Sequence, residues 1–97
     1  MLKIYRAMCK KEFQESTNNR LAWQSRFKWF SSNKDFVVNR VKDGRFNNSR
    51  FIPDRYSILV EIGIEDFNHF NQINDQELML DRRQANQVKI HYINRVN

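Results

Sequence analysis

The segment Tyr56 to Glu65 constrains this chain more than any other. Ile58, Val60, Ile62 and Ile64 recur there at every second position. Strand side chains alternate between faces, so these four β-branched residues share one face, and Ser57, Leu59, Glu61 and Gly63 share the other. Such a face must be covered, which makes the segment the expected central strand of a sheet lying on a core.

The flanking segments decide the fold class. Leu2 to Met8 reads as a first strand, with Leu2, Ile4, Arg6 and Met8 on one face and Lys3, Tyr5 and Ala7 on the other. Arg6 thus stands in register with three apolar side chains. A guanidinium keeps its charge, and burying it costs several kcal/mol, roughly, unless something satisfies it. Either Arg6 pairs with a buried carboxylate, or it reaches a pocket. Lys10 to Asn18 is expected to be a short helix anchored by Phe13 and ended by Asn18-Asn19. Arg20 to Lys28, where Leu21 and Trp23 alternate with polar neighbours, fits either a short strand or an ordered loop. Trp29-Phe30-Ser31-Ser32-Asn33 leads from aromatics into small polar residues. Ser32 or Asn33 is then a suitable N-cap for a helix from Lys34 to about Lys42, with Phe36, Val37, Arg40 and Val41 on one face and Gly44 as its stop.

Arg45 to Asp54 is rich in turn formers and reads as a loop. Its two phenylalanines either clamp a base or phosphate between arginines or pack back on the core. After the central strand, Asp66 to Asn74 is a connection with Phe67, Phe70 and Ile73 dipping inward. Glu77 to Leu80 is a strand, Asp81 to Asn86 a polar turn or short helix, and Val88 to Ile93 the last strand. In that last strand Val88, Ile90 and Tyr92 alternate against Lys89, His91 and Ile93. The order is that of an α+β domain with a mostly antiparallel or mixed sheet and two short helices in the N-terminal half. No glycine-rich phosphate loop is present, so dinucleotide-fold and P-loop readings fail.

Length and composition narrow the class further. A chain of 97 residues suits one domain spanning residues 1–97. With 1 cysteine there is no internal disulfide framework, and Cys9 is expected to be a free, partly buried thiol in a reducing compartment. One cysteine and two distant histidines do not make a zinc site, and His91 reads as an exposed strand residue. There is no signal-peptide pattern and no apolar run of membrane-spanning length, so a soluble cytoplasmic protein is expected. Charge is concentrated: Arg20 to Arg55 holds 9 basic and 3 acidic residues, which is the whole formal net charge of +6. That middle third is either a solvated basic face or the mark of an anionic partner: nucleic acid, a dinucleotide or an acidic protein surface.

Two carboxylates, Asp75 and Glu77, open the strand Leu78-Met79-Leu80. Taken alone they are solvated charges at a strand end. Together with Tyr5-Arg6-Ala7-Met8 on the first strand and Trp29-Phe30-Ser31-Ser32-Asn33 before a helix, the order resembles the mono-ADP-ribosyltransferase family of the arginine–serine–glutamate type. The chain would be a very small and divergent member. Ser31-Ser32-Asn33 departs from the family's Ser-Thr-Ser at its second and third positions, and Asp75 replaces the first Glu of its ExE element. The resemblance implies an ADP-ribosyltransferase-like fold and NAD as cosubstrate. Arg6, with Tyr5 beside it, would hold the pyrophosphate, and Ser31 and Ser32 would brace the nicotinamide ribose. Ser31 would also orient Glu77, the catalytic carboxylate. Asp75 would take the position of the acceptor-activating acid, and Phe36 would stack near the nicotinamide.

Three functions follow as expectations. The first is an NAD-dependent mono-ADP-ribosyltransferase, or an NAD glycohydrolase, acting on a host protein or nucleic acid. The second is a non-catalytic nucleotide- or protein-binding module on the same fold, such as a viral or bacterial accessory protein. The third is a basic nucleic-acid-binding protein using Trp23, Trp29, Phe46 and Phe51.

Overall fold

The structure, a computed structural model, describes residues 1–42 and 56–97. Gly44 as a helix stop and the Arg45 to Asp54 loop, with Phe46 and Phe51, lie outside the described residues. The elements in order are β1 (Leu2–Met8), α1 (Lys10–Glu15), β2 (Phe27–Phe30), α2 (Lys34–Lys42), β3 (Ile58–Ile64), β4 (Asn71–Gln72), β5 (Leu78–Asp81), a 3-10 helix (Arg82–Gln87) and β6 (Ile90–Arg95). This is the expected α+β class, built on two antiparallel three-stranded sheets with orders β1-β3-β6 and β2-β5-β4.

The alternation of β3 sets the architecture. Ile58, Val60, Ile62 and Ile64 are all buried. They meet Ile4 and Met8 of β1, Ile93 of β6, and Phe30, Leu78 and Leu80 of the second sheet in one core. Each fully buried side chain of this size contributes about 1.5–3 kcal/mol. The opposite face of β3 is covered as well. Leu59 and Ala7 pack beneath Val37 of α2, with Phe36 and Val41 of the same helix at the margin. The helix starts where Asn33 Oδ1 accepts the backbone N–H groups of Asp35 and Phe36, at 3.0 and 3.4 Å. Asn33, one of the two expected caps, is therefore the N-cap.

Three expectations are corrected. Helix α1 ends at Glu15, where the Ser16 hydroxyl turns back to donate to Glu12 O at 2.8 Å and accepts the Ala22 N–H at 3.0 Å. Asn18-Asn19 instead forms the tight turn between Thr17 and Arg20. Phe67 and Ile73, expected to dip inward, are 38% and 48% exposed, while Phe70 packs edge-on against Phe30 at 5.6 Å. In β6 the register shifts between Tyr92, opposite Gly63, and Ile90, opposite Ile64. That bulge leaves His91 as the extra residue and puts Ile90 and Ile93 against the same core, although their spacing is odd. His91 is exposed and meets Glu65 at 2.6 Å.

Candidate active site

The two sheets are stitched at a single antiparallel bridge among the described residues. Tyr5 N–H donates to Ser31 O at 2.7 Å, and Ser31 N–H donates to Tyr5 O at 3.0 Å. From that bridge β1 and β2 belong to different sheets and part. A cleft of about 570 Å³ lies where they part. Its walls come from β1 (Tyr5, Arg6, Ala7), β2 and its end (Phe27, Trp29, Phe30, Ser31), and α2 (Phe36, Val37, Arg40), with Ser25, Tyr56, Ile73 and Glu77 completing it.

Five of the seven sequence-derived site residues line this cleft: Tyr5, Arg6, Ser31, Phe36 and Glu77. Ser32 and Asp75 are exposed and are not among its lining residues. Ser32 lies just past the bridge, and Asp75 lies inside the turn that joins β4 to β5.

Arg6 answers the question that its alternation posed. Its Nε and Nη2 donate to the two oxygens of Glu12, at 2.7 and 2.9 Å, and its Nη1 donates to Trp29 O at 3.0 Å. The buried-carboxylate alternative is therefore realised, and the cleft alternative is realised with it, because the same side chain is part of the wall. Lys28 Nζ donates to Glu12 Oε2 at 2.6 Å from within the core. Glu12 is 1% exposed and Lys28 2%. Burial acts to raise the Glu12 pKa, but hydrogen bonds and charge from Arg6 and Lys28 prevail and hold the carboxyl below its ordinary value. Burial, reinforced by the nearby Arg6 charge, lowers the Lys28 pKa. Two cations thus share one carboxylate, leaving a net positive charge behind the Arg6 wall.

Glu77 is aimed by the turn before it. Asn74 Oδ1 accepts the backbone N–H groups of Gln76 and Glu77, both at 2.9 Å, an Asx turn that sets the start of β5. The Glu77 carboxylate then accepts from Arg40 Nη2 at 3.1 Å and from Asn74 Nδ2 at 3.2 Å. The Arg40 guanidinium also lies over the Phe36 ring, 4.6 Å from its centroid. The Ser31 hydroxyl is engaged elsewhere, accepting the Asn33 N–H at 3.0 Å. Orientation of Glu77 thus falls to Arg40 and Asn74, and Ser31 holds the end of β2 against the helix cap.

The sequence reading missed Glu12 and Lys28, and it did not place Arg40 in the site. Arg40 carried the same signal as Arg6, a guanidinium on an otherwise apolar face. Glu12 had no such signal, since a carboxylate in a six-residue helix looks like any solvated acid. Among the described residues no group of three or more His, Cys, Asp or Glu side chains is arranged to hold a metal ion. No helix among them is long and apolar enough to cross a membrane. No family model matches the chain, and neither a curated protein nor a solved structure matches it.

Proposed function

We propose that the cleft is an NAD site of the ADP-ribosyltransferase type, and that the protein transfers ADP-ribose to an acceptor or to water. One observation carries this: Arg6, Ser31 and Glu77, from the beginning, the first third and the end of the chain, line one cleft of about 570 Å³. That volume suits a ligand of nucleotide size. A guanidinium has five N–H donors. Arg6 directs one from each of its three nitrogens to Glu12 and Trp29, and the rest remain for a pyrophosphate. Phe36 and Trp29 offer flat apolar walls for the nicotinamide.

The chemistry asked of Glu77 is electrostatic. As the bond between the ribose C1′ and the nicotinamide nitrogen breaks, the bonding pair leaves with nicotinamide and neutralises its ring. Positive charge develops on the ribose, where a fixed carboxylate stabilises it. The acceptor oxygen or nitrogen then bonds to C1′ and gives up its proton. Release of nicotinamide from NAD is the expected activity, and Glu77→Gln should lower it by about 10²–10³, the usual cost of one preorganised electrostatic group. Turnover unchanged in that variant would remove Glu77 from the mechanism.

A second reading has its own support. All three charges in the wall among the described residues already have protein partners, Arg6 on Glu12 and Arg40 and Glu77 on each other, as suits a site that binds without reacting. NAD at a hundred times its dissociation constant would stabilise the fold by about 2.7 kcal/mol, an upward melting shift of roughly 10 °C or more in a domain this small. That shift without nicotinamide release would select the binding module.

A further inference from the structure

We propose that the exposed face of the β2-β5 ladder, which is also one wall of the cleft, is a docking shelf for single-stranded nucleic acid, in which Phe27 and Trp29 stack bases and Arg26 and Arg83 take phosphates. This does not rest on the NAD reading. Phe27 and Trp29 are 38% and 45% exposed, and their alternation partners on β2, Lys28 and Phe30, are buried. Two large aromatics on the solvent face of a strand have no role in the core beneath them. Their Cα atoms are two residues apart along β2, roughly 6.7 Å. That is about twice the 3.4 Å rise per nucleotide in a duplex strand, and so the spacing of a strand pulled out until its bases seat separately.

The charge at the end of the shelf has the matching sign. Arg26 O accepts the Arg82 N–H at 2.7 Å, which brings the arginines of the two segments together where β2 and β5 meet. Arg26 and Arg83 are exposed there around one carboxylate, Asp81, which pairs with them at 3.2 and 3.1 Å. Two guanidiniums around one carboxylate leave an excess of positive charge. The Arg26 guanidinium also lies over the Phe27 ring, 4.9 Å from its centroid, so a cation for the phosphate stands directly beside a ring for the base. Aromatic side chains with adjacent arginines are the general means of holding single strands without reading their sequence. Trp23 is not part of this surface, because its ring packs on the core side, 5.3 Å from Lys28 Nζ.

Anisotropy titrations of the whole protein with fluorescein-labelled oligothymidine and oligouridine test the proposal, with a duplex as the comparison. Binding is expected at 50 mM salt, roughly, and should weaken steeply as salt rises. Trp29→Ala should weaken it by about tenfold or more. Arg26→Gln with Arg83→Gln should reduce the salt slope by about 1.4, at about 0.7 for each phosphate left without its arginine. Arg95→Gln, on the other sheet, should leave the slope unchanged. Oligothymidine bound much more weakly than oligouridine would support the shelf and restrict the strand to RNA. The proposal is overturned if neither oligonucleotide binds, if the duplex binds as tightly as the single strands, or if Trp29→Ala, folded by circular dichroism, binds like the parent.

Discussion

Arg6, Glu12 and Lys28 put two cations on one carboxylate inside the protein, and the three are not equally replaceable. Glu12 is the common partner, so Glu12→Gln leaves both cations without a counter-charge. Removing one member of a buried pair costs about 3–5 kcal/mol, and urea unfolding should show a loss of that size. Lys28→Met should cost much less, because Arg6 still grips both oxygens of Glu12 and the depressed Lys28 pKa means that its charge is held there against burial. Equal losses in the two variants would mean that Lys28, not Arg6, is the essential partner. The pH dependence has a definite sign. The Glu12 pKa is lower in the folded protein than its ordinary 4.5, so its contribution is present above that value and is lost as pH falls through the folded value. Glu12→Gln should therefore flatten the acid limb of the stability profile. Arg6 was legible in the sequence as a charge on an apolar face, whereas its partner was not. The pairing comes from α1 folding back on β1, and six residues of helix carry too little periodicity to say which side faces inward.

At the scale of elements, what the sequence showed well was alternation sustained over whole segments. β1 from Ile4 onward and the core of β3 follow it, with Leu2 at the start of β1 left exposed, and α2 was legible from its cap and its apolar face together. What it hid were interruptions. The bulge in β6 reverses the alternation after His91, yet no glycine or proline within β6 marks it, so alternation alone sets Ile93 on the wrong face. Alternation likewise turns Leu59 away from the β3 core, and nothing local to β3 says that α2 covers it. The same bulge has a chemical consequence. It leaves Tyr92 beside Gly63, where a Cβ would run into the Tyr92 ring, and lets the Tyr92 hydroxyl donate to Glu61 Oε2 at 2.8 Å while Tyr5 donates to Oε1 at 3.0 Å. One carboxylate thus links three strands across the face opposite the core. The hydrogen bond to Glu61, with burial and the adjacent negative charge behind it, pushes the Tyr92 phenol up to about 12. Ultraviolet titration should find that phenol, and Glu61→Gln should return it toward the ordinary value of 10. A Tyr92 midpoint that does not move in the variant would break the proposed link.

For the whole molecule, the central matter is how two sheets that open onto a cleft remain one body. Among the described residues the backbone link between them is the Tyr5–Ser31 bridge, which is too little to hold them by itself. The core holds them instead: Phe30, Leu78 and Leu80 of the second sheet are buried in the same cluster as Ile4, Met8, Val60 and Ile62 of the first. The salt bridges of Glu12 reinforce it, since they run from α1 to β1 and to β2. A sheet of three short strands, one of them two residues long, would keep little stability without that cluster. The two sheets should therefore unfold together, despite the cleft between them. Both tryptophans, Trp23 and Trp29, lie on the β2 side, so their fluorescence follows the second sheet. Far-ultraviolet circular dichroism follows all the strands and both helices. In a urea titration the two signals should give one midpoint and one slope, about 1–3 kcal/mol per molar. A fluorescence midpoint well below that of circular dichroism would mean that the second sheet separates first. The cleft would then be an opening between two independently stable halves, and a ligand seated there would stabilise their contact more than their folding.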